Sequence, residues 1–206
     1  MKRPATALVL ALALVSVDGC APGDGPPGGD GGGALDAALD GAGGGAVDLA
    51  VASTGNAEAD AWLAAHNAVR AGAMPAPSPP LPPLGWSAPA AQVAATWAAG
   101  CTFSHNSARG NYGENIFANT GSTATPADVV RSWASEAANY TYATNSCAVG
   151  KSCGHYTQIV WGATTAVGCA TRVCTTNCPF SRCINGSWNF SVCDYSPPGN
   201  SGGKPY

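Results

Sequence analysis

The spacing of apolar positions along this chain changes from helical to alternating about two-thirds of the way through. From Asn56 or Ala57 to about Ala71, Trp62, Ala65, His66 and Val69 fall on one helical face, and Gly72 is a stop signal. Pro75 to Pro83 is a proline-rich crossing, too poor in backbone donors for a helix or a central strand. Ser87 caps a second predicted helix that turns Val93 and Trp97 inward and ends at Gly100. Thr125-Pro126-Ala127-Asp128 opens a third, with proline at the first helical position and an acid in the first turn. Its apolar stripe is Val129, Val130, Trp133, Ala137 and Tyr140. After that, His155 to Trp161, Ala166 to Cys174 and Ser187 to Tyr195 alternate and favour β-branched or aromatic residues, as strands do. Helices first and strands afterwards predict an α+β domain, its antiparallel sheet covered by helices.

The N-terminal quarter follows neither pattern. Lys2 and Arg3 precede a mostly apolar run, Ala5 to Val17, that is shorter than the roughly 20 residues a membrane span needs. Residues 1–19 therefore read as a signal peptide. Val17-Asp18-Gly19-Cys20 resembles a bacterial lipobox, which makes Cys20 a lipid anchor; ordinary cleavage would leave it a spare thiol. Residues 20–57 are rich in Gly, Asp and Ala, with five Asp and no Lys or Arg. They bury too little apolar surface to offset their ordering entropy and are expected to be a disordered linker. The folded domain is expected over 58–206, and the mature chain outside the cytoplasm, membrane-anchored or secreted.

Charge narrows the choice of partner. The chain carries a formal −3, but residues 58–206 hold seven basic and six acidic side chains and are near neutral. There is no basic stripe for nucleic acid and no polybasic membrane patch, so contact with a membrane is expected only through the anchor. Of nine cysteines, assigning Cys20 to the anchor leaves eight, an even set that suggests four disulfides in an oxidising compartment. Counting alone leaves 105 connectivities open.

The chain holds only three histidines and three glutamates. His105 lies in CTFSH, Glu114 in the turn-like NYGEN, Glu136 on the third predicted helix, and His155 at the start of a predicted strand. Imidazole and carboxylate suit a zinc site or acid/base work. Spacing alone does not bring them together: there is no H-x-x-x-H helix pair and no paired C-x-x-C knuckle. Scattered groups of this kind are as readily caps or satisfied core residues. Ser104, Ser107 and Ser135 lie near these residues in sequence, but no G-x-S-x-G elbow accompanies them.

Four ordered segments add a family resemblance. GHYTQIVW at 154–161 and CDYSPPGN at 193–200 resemble the two signatures of the CAP superfamily: cysteine-rich secretory proteins, antigen 5 and pathogenesis-related 1 proteins. HNAVR at 66–70 is similar to that family's opening helix and GENI at 113–116 to its central turn, nearest the plant type. The resemblance covers about 58–206. It implies a disulfide-stapled three-layer α/β/α sandwich with a central antiparallel sheet. It implies a tetrad, His105, Glu114, Glu136 and His155, in an open cleft able to bind zinc or another divalent metal mainly through the histidines. Glu114 and Glu136 would hold water or orient the imidazoles, and His66 would pack outside the tetrad.

The family pattern also implies the pairs Cys101–Cys174, Cys147–Cys153 and Cys169–Cys193, leaving Cys178 and Cys183 to close a local loop. The function it implies is a monomeric binding module for a hydrophobic small molecule (a lipid or sterol), a peptide or an envelope component. The rival expectation is a zinc-assisted extracellular hydrolase, a peptidase or esterase, with Glu114 or Glu136 as catalytic base on the same tetrad.

Overall fold

A computed structural model describes residues 52–206. The expected signal peptide, the Cys20 anchor and the linker up to residue 51 lie outside the described residues. In chain order the elements are α1 (Ala57–Ala71), β1 (Gly85–Trp86), α2 (Ala88–Ala99), β2 (Gly113–Thr120) and α3 (Pro126–Ala134), which runs into a 3-10 turn at Ser135–Asn139. There follow β3 (Tyr140–Thr141), β4 (Ser146–Cys147), α4 (Gly154–Ile159), β5 (Ala166–Cys174), a 3-10 turn at Ile184–Gly186, and β6 (Trp188–Ser196).

The helix starts are chemically defined. The Asn56 side chain accepts from the backbone N–H of Glu58 and Ala59, and Ser87 accepts from Ala90. Thr125 and Asp128 form a reciprocal capping box, with Pro126 at the first helical position. Just before α1, Ser53 and Thr54 donate to Asp60 at 2.6 and 2.7 Å.

The main sheet has the order β1-β5-β6-β2. The three long strands are antiparallel, but the two-residue β1 joins β5 in parallel, so the sheet is mixed. Strand β6 shows why it lies at the centre. Its side chains alternate between faces, and all but its last residue are buried. Trp188, Phe190 and Val192 pack with Ala94 and Ala98 of α2. Cys193 and Tyr195 pack with Trp62, Val129, Val130, Trp133 and Ile159 of α1, α3 and α4. One helix on one face and three on the other make a three-layer α/β/α sandwich.

The domain holds four disulfides: Cys101–Cys174, Cys147–Cys153, Cys169–Cys193 and Cys178–Cys183. Cys169–Cys193 joins directly opposed residues of β5 and β6.

Several local expectations need correction. Residues 155–161 are not a strand; most of them form α4. Tyr156 to Trp161 are all buried, Thr157 and Gln158 included, and a short run buried throughout does not reveal its period. GENI is not a turn but the start of β2. Glu136 lies past the end of α3, in the 3-10 turn, and Ala137 of the expected stripe is exposed. On α2 the innermost residues are Ala90, Ala94 and Ala98, while Val93 and Trp97 are only half-buried.

The last correction has a steric cause. Gly168 of β5 lies against the first turn of α2, where an added Cβ would collide with the backbone of Ala91, Ser87 and Ala90. Helix α2 and β5 approach so closely at this point that α2 buries only alanines, Ala90, Ala94 and Ala98. Gly168→Ala is therefore expected to destabilise the domain by about 1–3 kcal/mol, read as a lowered midpoint in denaturant unfolding with the disulfides intact. An unchanged midpoint would show that α2 does not rest on this glycine.

Candidate functional site

The tetrad residues come from four separate segments and meet as two pairs. His105, in the loop after α2, places Nδ1 2.6 Å from Glu114 Oε1 at the start of β2. His155, in the first turn of α4, places Nδ1 2.7 Å from Glu136 Oε1. His105, Glu114 and His155 line one open cleft of about 210 Å3, together with Asn115, Ser152, Gly154 and Asn200. Glu136 stands behind His155 rather than on the cleft wall.

Each glutamate holds its imidazole and also accepts from backbone N–H groups. Oε1 of Glu114 also accepts from the backbone N–H of Asn106 at 2.9 Å, and its side chain is wholly enclosed. Oε2 of Glu136 accepts from the N–H groups of His155 and Tyr156 at 2.9 and 3.2 Å, closing the N-terminus of α4, where no neighbouring side chain caps. Burial pushes the Glu136 carboxyl upward, but the hydrogen bond and charge of His155 and these two N–H groups outweigh it, and the net shift is downward. Glu136 is thus ionised at neutral pH. Trp133 stacks on the His155 ring at 5.9 Å between centroids and 20° between planes.

An ionised carboxylate can only accept. The proton of His155 therefore lies on Nδ1, and the neutral ring keeps a lone pair on Nε2; the His105 ring takes the same orientation against Glu114 Oε1. This is how metal-binding histidines are oriented by an outer carboxylate.

Asn115 joins the cleft to the core. It neighbours Glu114 on β2, so its side chain goes to the opposite face. Its amide donates at 3.1 Å both to the His155 carbonyl and to the Tyr195 hydroxyl. Tyr195 donates in turn to His66 Nε2 at 2.8 Å, and His66 Nδ1–H donates to the Trp62 carbonyl at 2.8 Å. Burial lowers the His66 pKa to about 4, despite the Trp62 carbonyl and assisted by the charge of Arg70. His66 is thus neutral, outside the cleft, and tied to it through two partners.

His66, Cys169 and Cys193 bring three potential ligand atoms within 4.8 Å of one another, the one such group among the described residues. Both sulfurs are joined in a disulfide and both ring nitrogens are hydrogen-bonded, so the group has no free donor.

The motif segments owe their composition to close packing around this site. The buried Gln158 side chain accepts from Gly199 N–H at 2.9 Å and leaves no room for a Cβ on Gly113 or Gly199. Asn200 accepts from Thr157 Oγ1 at 2.7 Å and donates to the Gly154 carbonyl. Arg70 donates to the carbonyls of Pro82, Ile159 and Trp161 at 2.9 Å, tying α1 to the end of α4. Burial lowers its pKa to about 10, which leaves it charged. Of the nearby serines, Ser135 donates to the Ser132 carbonyl.

The sequence reading passed over Asn115, Asn200 and Asp194. Asp194 is fully buried, with no hydrogen-bond partner on either oxygen. Burial first, and then the charge of Glu114, push its pKa up to about 7 against the opposing charge of Arg109. Its signal in sequence was an acid inside the apolar run of a central strand.

These features define a disulfide-stapled α/β/α domain with an imidazole–carboxylate pair on either side of an open cleft. Comparison with known proteins places that class. The CAP model, the cysteine-rich secretory protein family, matches residues 63–195. Pathogenesis-related protein PRMS of Zea mays is 47% identical over 130 residues, 60% of this chain and 71% of that protein. In structure, venom allergen-like protein 4 of Schistosoma mansoni superposes with a TM-score of 0.56 at 25% identity, covering 73% of this chain and 94% of that one. NaASP2, crystallised with Zn2+, has the same fold with a TM-score of 0.55 at 24% identity, covering 73% and 86%. The chain belongs to the cysteine-rich secretory protein (CAP) family, on its plant pathogenesis-related side.

Proposed function

We propose that this chain is an exported binding module whose cleft holds a divalent cation, zinc or another, on Nε2 of His105 and His155. The observation that supports this reading most is the matched pair of carboxylate-held imidazoles facing one cleft. The donor set suits an ion that accepts nitrogen ligands and leaves its remaining positions to water or a bound partner. A bound ion would supply a Lewis-acidic anchor for an oxygen of that partner.

Binding is favoured over hydrolysis because neither glutamate is free to act as a base. Glu114 Oε1 is held by His105 and Asn106, and its Oε2 is buried. Glu136 is held by His155 and two backbone N–H groups. Two imidazoles are also one ligand short of the usual catalytic zinc site.

The hydrophobic part of a ligand has a separate place to bind. A groove of about 330 Å3 runs between α1 and the 3-10 turn after α3, lined by Val69, Met74, Ala137, Tyr140 and Tyr156. That volume lies at the lower end for a small-molecule pocket and would take part of an apolar chain, such as that of a fatty acid. Four disulfides fit an oxidising compartment, which supports export; the proposed anchor at Cys20 rests on the lipobox resemblance of residues 17–20 alone.

Calorimetric titration of the metal-free protein with zinc is expected to show one site that is lost in His105→Ala/His155→Ala. Glu114→Gln and Glu136→Gln are each expected to weaken it about 10–100-fold. Equal affinity in wild type and double variant would remove the metal from this reading. For the groove, Ala137→Trp is expected to abolish saturable binding of a fluorescent fatty acid; retained binding would place the apolar ligand elsewhere. Cys20→Ser is expected to move the protein from the membrane fraction to the soluble extracytoplasmic fraction, and an unchanged distribution would rule out the anchor.

A further inference from the structure

Behind the His105 half of the cleft lie three buried oxygens without partners: Glu114 Oε2 and both carboxyl oxygens of Asp194. Glu114 and Asp194 are directly opposed in the antiparallel pairing of β2 with β6. Opposed residues in such a ladder send their side chains to the same face, with Cβ atoms about 4.5–5.5 Å apart. The Glu114 side chain is fully enclosed and Asp194 is 0% exposed.

Two ionised carboxylates cannot satisfy each other, since both only accept, and burying a pair of like charges without compensation is costly. The surroundings supply little relief. Beneath Asp194 in the ladder lies Gly168 of β5, and α2, packed over this face, carries no charged residue. In the loop, the guanidinium of Arg109 donates to the carbonyls of Tyr112 and Asn106 rather than to either acid. His105 meets the other oxygen of Glu114. On β6 the adjoining Tyr195 hydroxyl is engaged with His66 and Asn115.

We propose that Asp194 is a positioning residue for the cleft: it keeps its proton and donates it to Glu114 Oε2, so that a buried acid holds the carboxylate that holds His105. One proton satisfies an oxygen on each side chain and leaves the pair with a single negative charge. Glu114 then accepts three hydrogen bonds, from His105, Asn106 and Asp194. The upward shift of Asp194 to about 7 agrees with a proton kept through mildly acidic conditions and released near neutrality. This inference builds on the proposed role of His105, but the proton on Asp194 is measurable without metal or ligand.

The test is infrared difference spectroscopy on the metal-free full chain, titrated from about pH 5 to about pH 9, a range that brackets a carboxyl pKa raised to about 7. Wild type minus Asp194→Asn is expected to show a protonated-carboxyl C=O band at the acid end, replaced by carboxylate bands as the pH rises through about 7. In Glu114→Gln the like charge is gone, so the midpoint of that band is expected to move to lower pH. If Asp194→Asn fails to fold, carbon-13 carboxyl NMR of aspartate-labelled wild type reads the same titration without a substitution. Carboxylate bands alone across the range, or no aspartate titrating above the ordinary range, would overturn the proposal and assign the orphaned oxygens to water or a cation. A midpoint unmoved by Glu114→Gln would also overturn it, by uncoupling Asp194 from the cleft. Loss of zinc binding with the band intact would count against the metal reading and leave this one standing.

Discussion

The register of β2 on β6 is the constraint on which the site depends. Strand side chains alternate with a period of two, so a slip of one residue would send Glu114 and Asn115 to each other's faces. In the observed register Glu114 lies opposite Asp194 and Asn115 opposite Cys193. Glu114 can then hold His105 from one side of the edge strand, while Asn115 holds the His155 carbonyl from the other. The register is itself defended: Trp188, Phe190 and Val192 must face α2, and Cys193 must meet Cys169. A cleft assembled from a loop, an edge strand, a 3-10 turn and a short helix thus takes its geometry from the packing of one central strand.

The second organising feature is the exchange of roles between side chain and backbone. Glu136 both orients His155 and closes the N-terminus of the helix that carries it. Arg70 and Asn67 are spent on backbone carbonyls and on both backbone groups of Leu84. Gln158 fills a space kept open by two glycines. Such polar residues form the rigid frame around the histidines, and each leaves a buried group unsatisfied if removed, at about 1–3 kcal/mol.

What could be read from sequence follows the same physics. Helices α1, α2 and α3 announce their starts by Asn56, Ser87 and the Thr125–Asp128 box, and β5 and β6 by alternation. Strand β2 was hidden because GENIFANT carries polar residues on both faces to build the site. Helix α4 was hidden because Tyr156 to Ile159 are all buried in a row, which leaves no amphipathic period to read. The four tetrad residues were picked out by scarcity and by resemblance to a family, not by spacing, since the sheet register and the Glu136 cap that bring them together have no local signature. Asp194 and Asn115 escaped notice for a related reason: their importance lies in what stands opposite them.

The central claim is that His105 and His155 each keep a proton on Nδ1 and offer Nε2 to a cation. With three histidines in the chain, nitrogen-15 NMR of the imidazoles, recorded with and without zinc, reads it directly. The account predicts Nδ1–H tautomers for His105 and His155, zinc-induced shifts at Nε2 of those two rings, and no change at His66. Zinc shifts at Nδ1, at only one of the two rings, or at neither would contradict it.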